Sequence, residues 1–231
     1  MLRFDCRGMG DSSGTHPGFE AMDQDIAAAR KMLLAEVPSI EHVIGFGLCD
    51  AATALLLYCD SQGGFDGLVL INPWVRTEAG HASANLKHYY ATRFTQGAFW
   101  RKLLTGGVDF VGAVRGVGSN LRRVLKSAGG RPVSGPEQFL RRMESGASKF
   151  RGAMLFLSSE FDLTAREFES ECQRSKTWQN VLSRSNVCVL PVPRADHTFS
   201  AAESLADASA GIVSWATRMG FRGPAHDSGP G

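Results

Sequence analysis

A doubly wound α/β fold is the architecture this sequence predicts, on three observations. Apolar runs of four to seven residues recur along the chain. Most of them are separated by stretches whose apolar residues return at helical spacing. The runs are apolar throughout rather than alternating, as parallel strands covered by helices on both faces must be.

Taken in order, Leu2 to Asp5 reads as the end of a strand, and CRGMGDSSG after it as a glycine-rich turn. Phe19, Met22, Ile26, Ala29 and Leu33 then fall on one helical face, and Pro38 ends that helix. A second strand, His42 to Gly47, leads through a tight turn into the helix Ala51 to Tyr58. The third strand is Gly67 to Asn72, closed by Pro73. The fourth is Ala153 to Ser158, closed by the acidic loop SSEFD, and the fifth is Val187 to Val192.

About eighty residues separate the third strand from the fourth, too many for an ordinary connection. Residues 77–150 are therefore expected to form a helical lid inserted between two parts of one core, 1–76 and 151–219. In HASANLKHYYATRFTQGAFWRKLL, aromatic and basic residues alternate as on an amphipathic helix resting over a site. Phe94, Phe99 and Trp100 read as core cover, and Arg101 and Lys102 as a solvated face. Residues 127–137 read as a flexible linker and 220–231 as a disordered tail.

Composition narrows the function classes. At 231 residues with 43% hydrophobic and 21% charged, the chain can bury one sizeable core. A net charge of +2, from 25 basic and 23 acidic residues, argues against nucleic acid or an anionic membrane as the main partner. Five cysteines (Cys6, Cys49, Cys59, Cys172, Cys188) without CxxC spacing indicate neither a disulfide framework nor a zinc site, and a reducing cytoplasm is the natural compartment. No run reaches the roughly 18 apolar residues of a membrane span, and the first residues lack a signal-peptide pattern. No metal, no organic cofactor and no nucleotide-binding turn is expected, and no internal repeat is present.

The chemistry-bearing motif is Gly47-Leu48-Cys49-Asp50-Ala51. Small residues flank the central position at a distance of two, as a strand-to-helix nucleophile elbow requires, with cysteine where serine is usual. The helix N-terminus beneath it is expected to stabilise the thiolate and lower the Cys49 pKa. The Asp50 backbone amide is the expected oxyanion donor. In this architecture an acid and then a histidine follow the nucleophile along the chain. Asp162 comes just after the fourth strand and His197 just after the fifth, which puts both at the carboxyl edge of the sheet where ligands bind. His197 would take the thiol proton, and Asp162 would hold the ring in the right tautomer. Glu160 and Asp196 compete for the acid role. Cys6, Cys59, Cys172 and Cys188 read as structural, and His16, His42, His81, His88 and His226 carry no signal of function.

Together DCRGMGDSSG, GLCDAA, LINPWVRTEAG, HYYATRF with AFWRKLL, and DHTFS resemble the α/β-hydrolases that accompany the exosortase A system, type 1, over residues 1 to about 218. The resemblance implies a cytoplasmic bacterial protein of the α/β-hydrolase fold, encoded near surface-polysaccharide machinery, with Cys49, Asp162 and His197 as its triad. The resemblance leaves the substrate undefined; the elbow and its acid and histidine are read here as acting on a small-molecule ester or thioester, by hydrolysis or by acyl transfer. Measured against that family, three strands, a helix and the loop that donates the second oxyanion amide would lie upstream of Met1. The chain is thus expected to lack the first strands, to leave the elbow strand open on one side, and to fold and hydrolyse weakly as it stands. The competing reading is a non-catalytic fragment or binding protein that keeps the elbow for packing.

Overall fold

The computed structural model describes residues 1–75 and 136–221. The chain divides into two compact units, Met1–Val75 with Phe139–Gly231, and Arg76–Gln138. Most of the expected lid, the linker up to residue 135 and the tail from residue 222 lie outside the described residues.

In the first unit, β1 (Ile44–Leu48), β2 (Gly67–Ile71), β3 (Ala153–Ser159) and β4 (Val187–Val192) form one parallel sheet in the order β1-β2-β3-β4. Register runs from Leu48↔Ile71 through Ile71↔Leu157 to Ser159↔Val192, so the carboxyl ends of all four strands share one edge. The helices are α1 (Asp23–Glu36), α2 (Asp50–Ser61), α3 (Pro136–Lys149), α4 (Leu163–Arg174), α5 (Lys176–Leu182) and α6 (Ala202–Arg218). A short 3-10 turn, Phe19–Ala21, precedes α1.

Each face of the sheet carries its own core. On one, Leu68, Leu70, Met154 and Phe156 pack against buried residues of α2, α3, α4 and α5, with Trp178 edge-on to Phe156 and Phe168. On the other, Val69, Ile71, Leu155 and Leu157 pack against Ala208 and Trp215 of α6. Burial of β2 and of most of β3 on both faces explains their unbroken apolar sequence. Each large apolar side chain removed from water there contributes about 1.5–3 kcal/mol before the cost of ordering it. Within α3, Phe139, Met143 and Ala147 belong to the first core, and Gly146 allows the closest approach: a Cβ there would stand 1.9 Å from the Leu56 carbonyl oxygen.

Leu2 to Asp5 is not a strand. Strand pairing needs a neighbour, and β1 pairs only with β2 among the described residues. Asp5 instead anchors the glycine-rich turn: its Oδ2 accepts from the Asp11 amide and its carbonyl from the Ser12 hydroxyl. Arg7 ties the turn to α1 by donating to Asp25 from Nε at 2.9 Å and from Nη2 at 3.1 Å. Phe46, on the open edge strand β1, is 60% exposed.

Candidate active site

Cys49 occupies a single strained residue between β1 and α2, with φ 57° and ψ −116°. Positive φ is uncommon for a residue with a side chain, and such residues gather where the backbone is held for a purpose. The strain is set from both sides: the Cys49 amide donates to the Ile71 carbonyl at 2.9 Å, and its carbonyl accepts from the Thr53 amide at 3.1 Å. Gly47 is required two residues before it, because a Cβ there would lie 2.6 Å from the Ala51 carbonyl carbon and the Ala52 nitrogen. As the first helical residue, Asp50 has an amide that the helix itself leaves free.

Asp162 and His197 meet as the sequence order anticipates. The His197 Nδ1 and Asp162 Oδ2 are 2.8 Å apart. Acting as donor from Nδ1–H, the ring leaves Nε2 with its lone pair, the tautomer a proton acceptor needs. Asp162 is buried, and its Oδ1 accepts from the Thr164 amide at 3.0 Å as the N-cap of α4. The carboxylate is therefore held by two partners before any substrate arrives. The His197 side chain remains 39% exposed.

The two rival acids are engaged elsewhere. Glu160 Oε2 accepts from the Arg194 amide at 2.7 Å. Asp196 caps its own loop, accepting from the Thr198 and Ser200 amides and the Ser200 hydroxyl. These bonds hold its carboxyl below the usual range.

One expectation about Cys49 is overturned. Its pKa is not lowered but pushed up to about 11, first by desolvation and then by the charge of Asp50, whose backbone amide pulls only partly the other way. The thiol donates to Asp50 Oδ1 at 3.4 Å. Among the described residues no hydrogen bond joins it to the His197 ring. The helix terminus is offset first by desolvation of the sulfur and then by the carboxylate of the same residue that supplies the amide. Burial pushes Cys59 and Cys172 up to about 12, in keeping with structural thiols.

Two residues that tie the site together, Asn72 and Thr53, belong to none of the catalytic motifs read from the sequence. Asn72 follows β2 at φ 45° and is 0% exposed. Its Oδ1 accepts from the Ser159 amide, and its Nδ2 donates to the Ser159 hydroxyl and to the His197 carbonyl. Thr53, on α2, exchanges bonds with the backbone of Trp74. An asparagine before a proline at a strand end was the available clue, since asparagine tolerates the left-handed region.

No protein-family profile and no curated protein matches the sequence. Solved structures do match. The esterase Pf2001 of Pyrococcus furiosus superposes with a TM-score of 0.56 at 12% identity, over 93% of this chain and 68% of that one. A monoacylglycerol lipase of Paleococcus ferrophilus gives 0.56 at 18% identity, over 94% and 82%. The esterase domain of a Rhodothermus marinus protein gives 0.51 at 17%, over 94% and 73%. This chain has the α/β-hydrolase fold. Within that fold Cys49 stands at the strand-to-helix turn after β1, the edge strand of the described sheet, and the Asp162–His197 pair stands on the two loops that follow β3 and β4. Among the described residues no cluster of three or more His, Cys, Asp or Glu could hold a metal ion, and no helix is long and apolar enough to cross a membrane.

Proposed function

We propose that the chain is a hydrolase acting on a small-molecule ester or thioester through Cys49. The observation that carries this reading is the conjunction of a strained cysteine at a strand-to-helix elbow with a preformed, partly buried Asp162–His197 pair on the same sheet edge. His197 Nε2 takes the thiol proton as sulfur attacks the carbonyl carbon, and the Asp50 amide donates to the oxyanion. The imidazolium then protonates the departing alcohol or thiol, leaving an acyl-cysteine. Water, deprotonated by the same nitrogen, attacks that acyl group and releases the acid and the free thiol. Acyl transfer differs only in the acceptor that replaces water. The high Cys49 pKa makes the proton transfer part of the attack rather than a prior step. The sequence resemblance further supports a cytoplasmic setting in bacteria beside exosortase and exopolysaccharide systems.

A second reading is favoured by the same thiol. A cysteine pushed up to about 11 and bonded to its neighbouring carboxylate suits a binding protein or inactive fragment that keeps the elbow only for packing. Hydrolysis of p-nitrophenyl acetate, followed with wild type, Cys49→Ala and Cys59→Ala, separates the two. Loss confined to Cys49→Ala is expected, because Cys59 lies ten residues along α2, about 15 Å away at the helical rise. Equal rates in all three proteins refute nucleophilic catalysis.

A further inference from the structure

We infer that Asn72 is a positioning residue, and that the turn Asn72-Pro73-Trp74 is a brace holding the nucleophile elbow and the histidine loop in one register. The inference rests on the proposed pairing of Cys49 with His197. Those two residues sit on loops after β1 and β4, with two strands between them. The sheet's own ladder reaches only to Leu48↔Ile71 on one side and Ser159↔Val192 on the other. Beyond it the Cys49 amide still donates to the Ile71 carbonyl and the Phe161 amide to the Ala195 carbonyl, and the turn after β2 adds side-chain bonds to the elbow helix and the histidine loop.

Its far end is bolted to the elbow helix. The Trp74 amide donates to Thr53 Oγ1 at 2.8 Å, and the same hydroxyl lies 2.8 Å from the Trp74 carbonyl. Thr53 in turn donates its amide to the Cys49 carbonyl. The near end is bolted to the histidine loop. Asn72 Nδ2 donates to the His197 carbonyl at 3.3 Å and to Ser159 Oγ at 2.9 Å, while Oδ1 accepts from the Ser159 amide at 2.9 Å. Both amide hydrogens and the carbonyl oxygen are thus used, without access to water. Asparagine meets two demands at once here: a side chain with two donors and an acceptor, and a backbone at φ 45°. Aspartate would keep the shape and turn both donors into acceptors facing two oxygens.

The test is a double-mutant cycle on the full chain, read by the rate at which iodoacetamide alkylates Cys49, resolved by mass spectrometry across pH 6 to 10. His197→Ala is expected to slow alkylation at neutral pH about tenfold or more. Asn72→Asp is expected to give a loss of the same order with the fold retained, since small displacements of a reacting pair cost up to about a hundredfold. In the His197→Ala background, Asn72→Asp should change the rate by less than about twofold, because a residue acting through His197 has nothing left to position. An equal loss in both backgrounds would show general packing and overturn the inference. A neutral Asn72→Asp with a damaging His197→Ala overturns it alone, whereas a neutral His197→Ala removes the pairing and the brace together. Should the aspartate variant fail to fold, Asn72→Gly, which keeps the left-handed backbone and removes the amide, goes through the same cycle with the same criteria.

Discussion

Replacing Asp50 by asparagine should make Cys49 more reactive, although the change falls on the residue whose amide is the proposed oxyanion donor. The backbone N–H survives the substitution; only the side-chain charge is lost. With a pKa of about 11, Cys49 holds about three thiolates in ten thousand molecules at pH 7.5, against about three in a hundred at the ordinary value of 9.0. The carboxylate oxygen lies 3.4 Å from the sulfur in an exposed setting. In a water-like dielectric a unit charge at that separation is worth about 1 kcal/mol, roughly one pKa unit. Recovering one unit raises the thiolate tenfold, while the intrinsic nucleophilicity falls with a Brønsted slope of about 0.4–0.5, leaving a net gain of about threefold. Desolvation, the larger cause, stays in place, so the full two units are not recovered. Site-resolved alkylation from pH 6 to 11 should show the Asp50→Asn rate rising about threefold at neutral pH and its midpoint moving down. An unchanged rate, or a midpoint that moves up, would refute the assignment of Asp50 as the charge that suppresses the thiolate.

Three further outcomes are expected. Asp162→Asn should lower ester turnover by about ten-thousandfold while melting changes little, because asparagine still caps α4 but favours the wrong histidine tautomer; Glu160→Gln, which touches only the Arg194 amide, should cost far less in the same assay. Gly47→Ala should destabilise the chain by about 1–3 kcal/mol or more in urea titration, since its methyl group would meet the backbone of Ala51 and Ala52 at 2.6 Å. Stability should also fall in alkali. Cys59 and Cys172 have folded-state pKa values raised to about 12, so their contribution is fully present below the unfolded value near 9 and is lost as pH climbs from there to about 12, on the order of 4 kcal/mol each. Melting temperatures of wild type and Cys59→Ala, compared between pH 7 and 11, should converge as pH rises; a constant gap contradicts the assignment.

The sheet was legible because its strands are short apolar runs, two of them, β2 and most of β3, buried on both faces. Residues 187–192 are bounded in the structure as the apolar run bounds them, and Gly67–Ile71 and Ala153–Ser159 differ from the expected runs by one residue each. Leu2 to Asp5 misled for the opposite reason. Four apolar or charged residues before a glycine turn satisfy the local pattern of a strand end, but a strand exists only through its ladder, and none forms there. Apolar spacing in α3 also marks a buried face without naming its partner. Phe139, Met143 and Ala147 repeat every four residues at the end of a stretch read as an insertion, and their burial became visible only once α2 stood beside them.

At the site, residue types and order sufficed for the Asp162–His197 pair, because a turn after each parallel strand necessarily lands on the same edge. They did not suffice for the state of the thiol. The dipole of α2 and the charge of Asp50 act on the same sulfur with opposite sign, and which prevails depends on a side-chain rotamer and on burial, neither of which spacing encodes. The brace was hidden by the same limit: Asn72 bonds to residues 87 and 125 positions away, and no local pattern marks a side chain whose partners lie that far along the chain. A nucleophile elbow read from sequence therefore fixes where the sulfur stands. Whether it is poised to react is decided by its burial and by the neighbouring Asp50 carboxylate, which together push its pKa up.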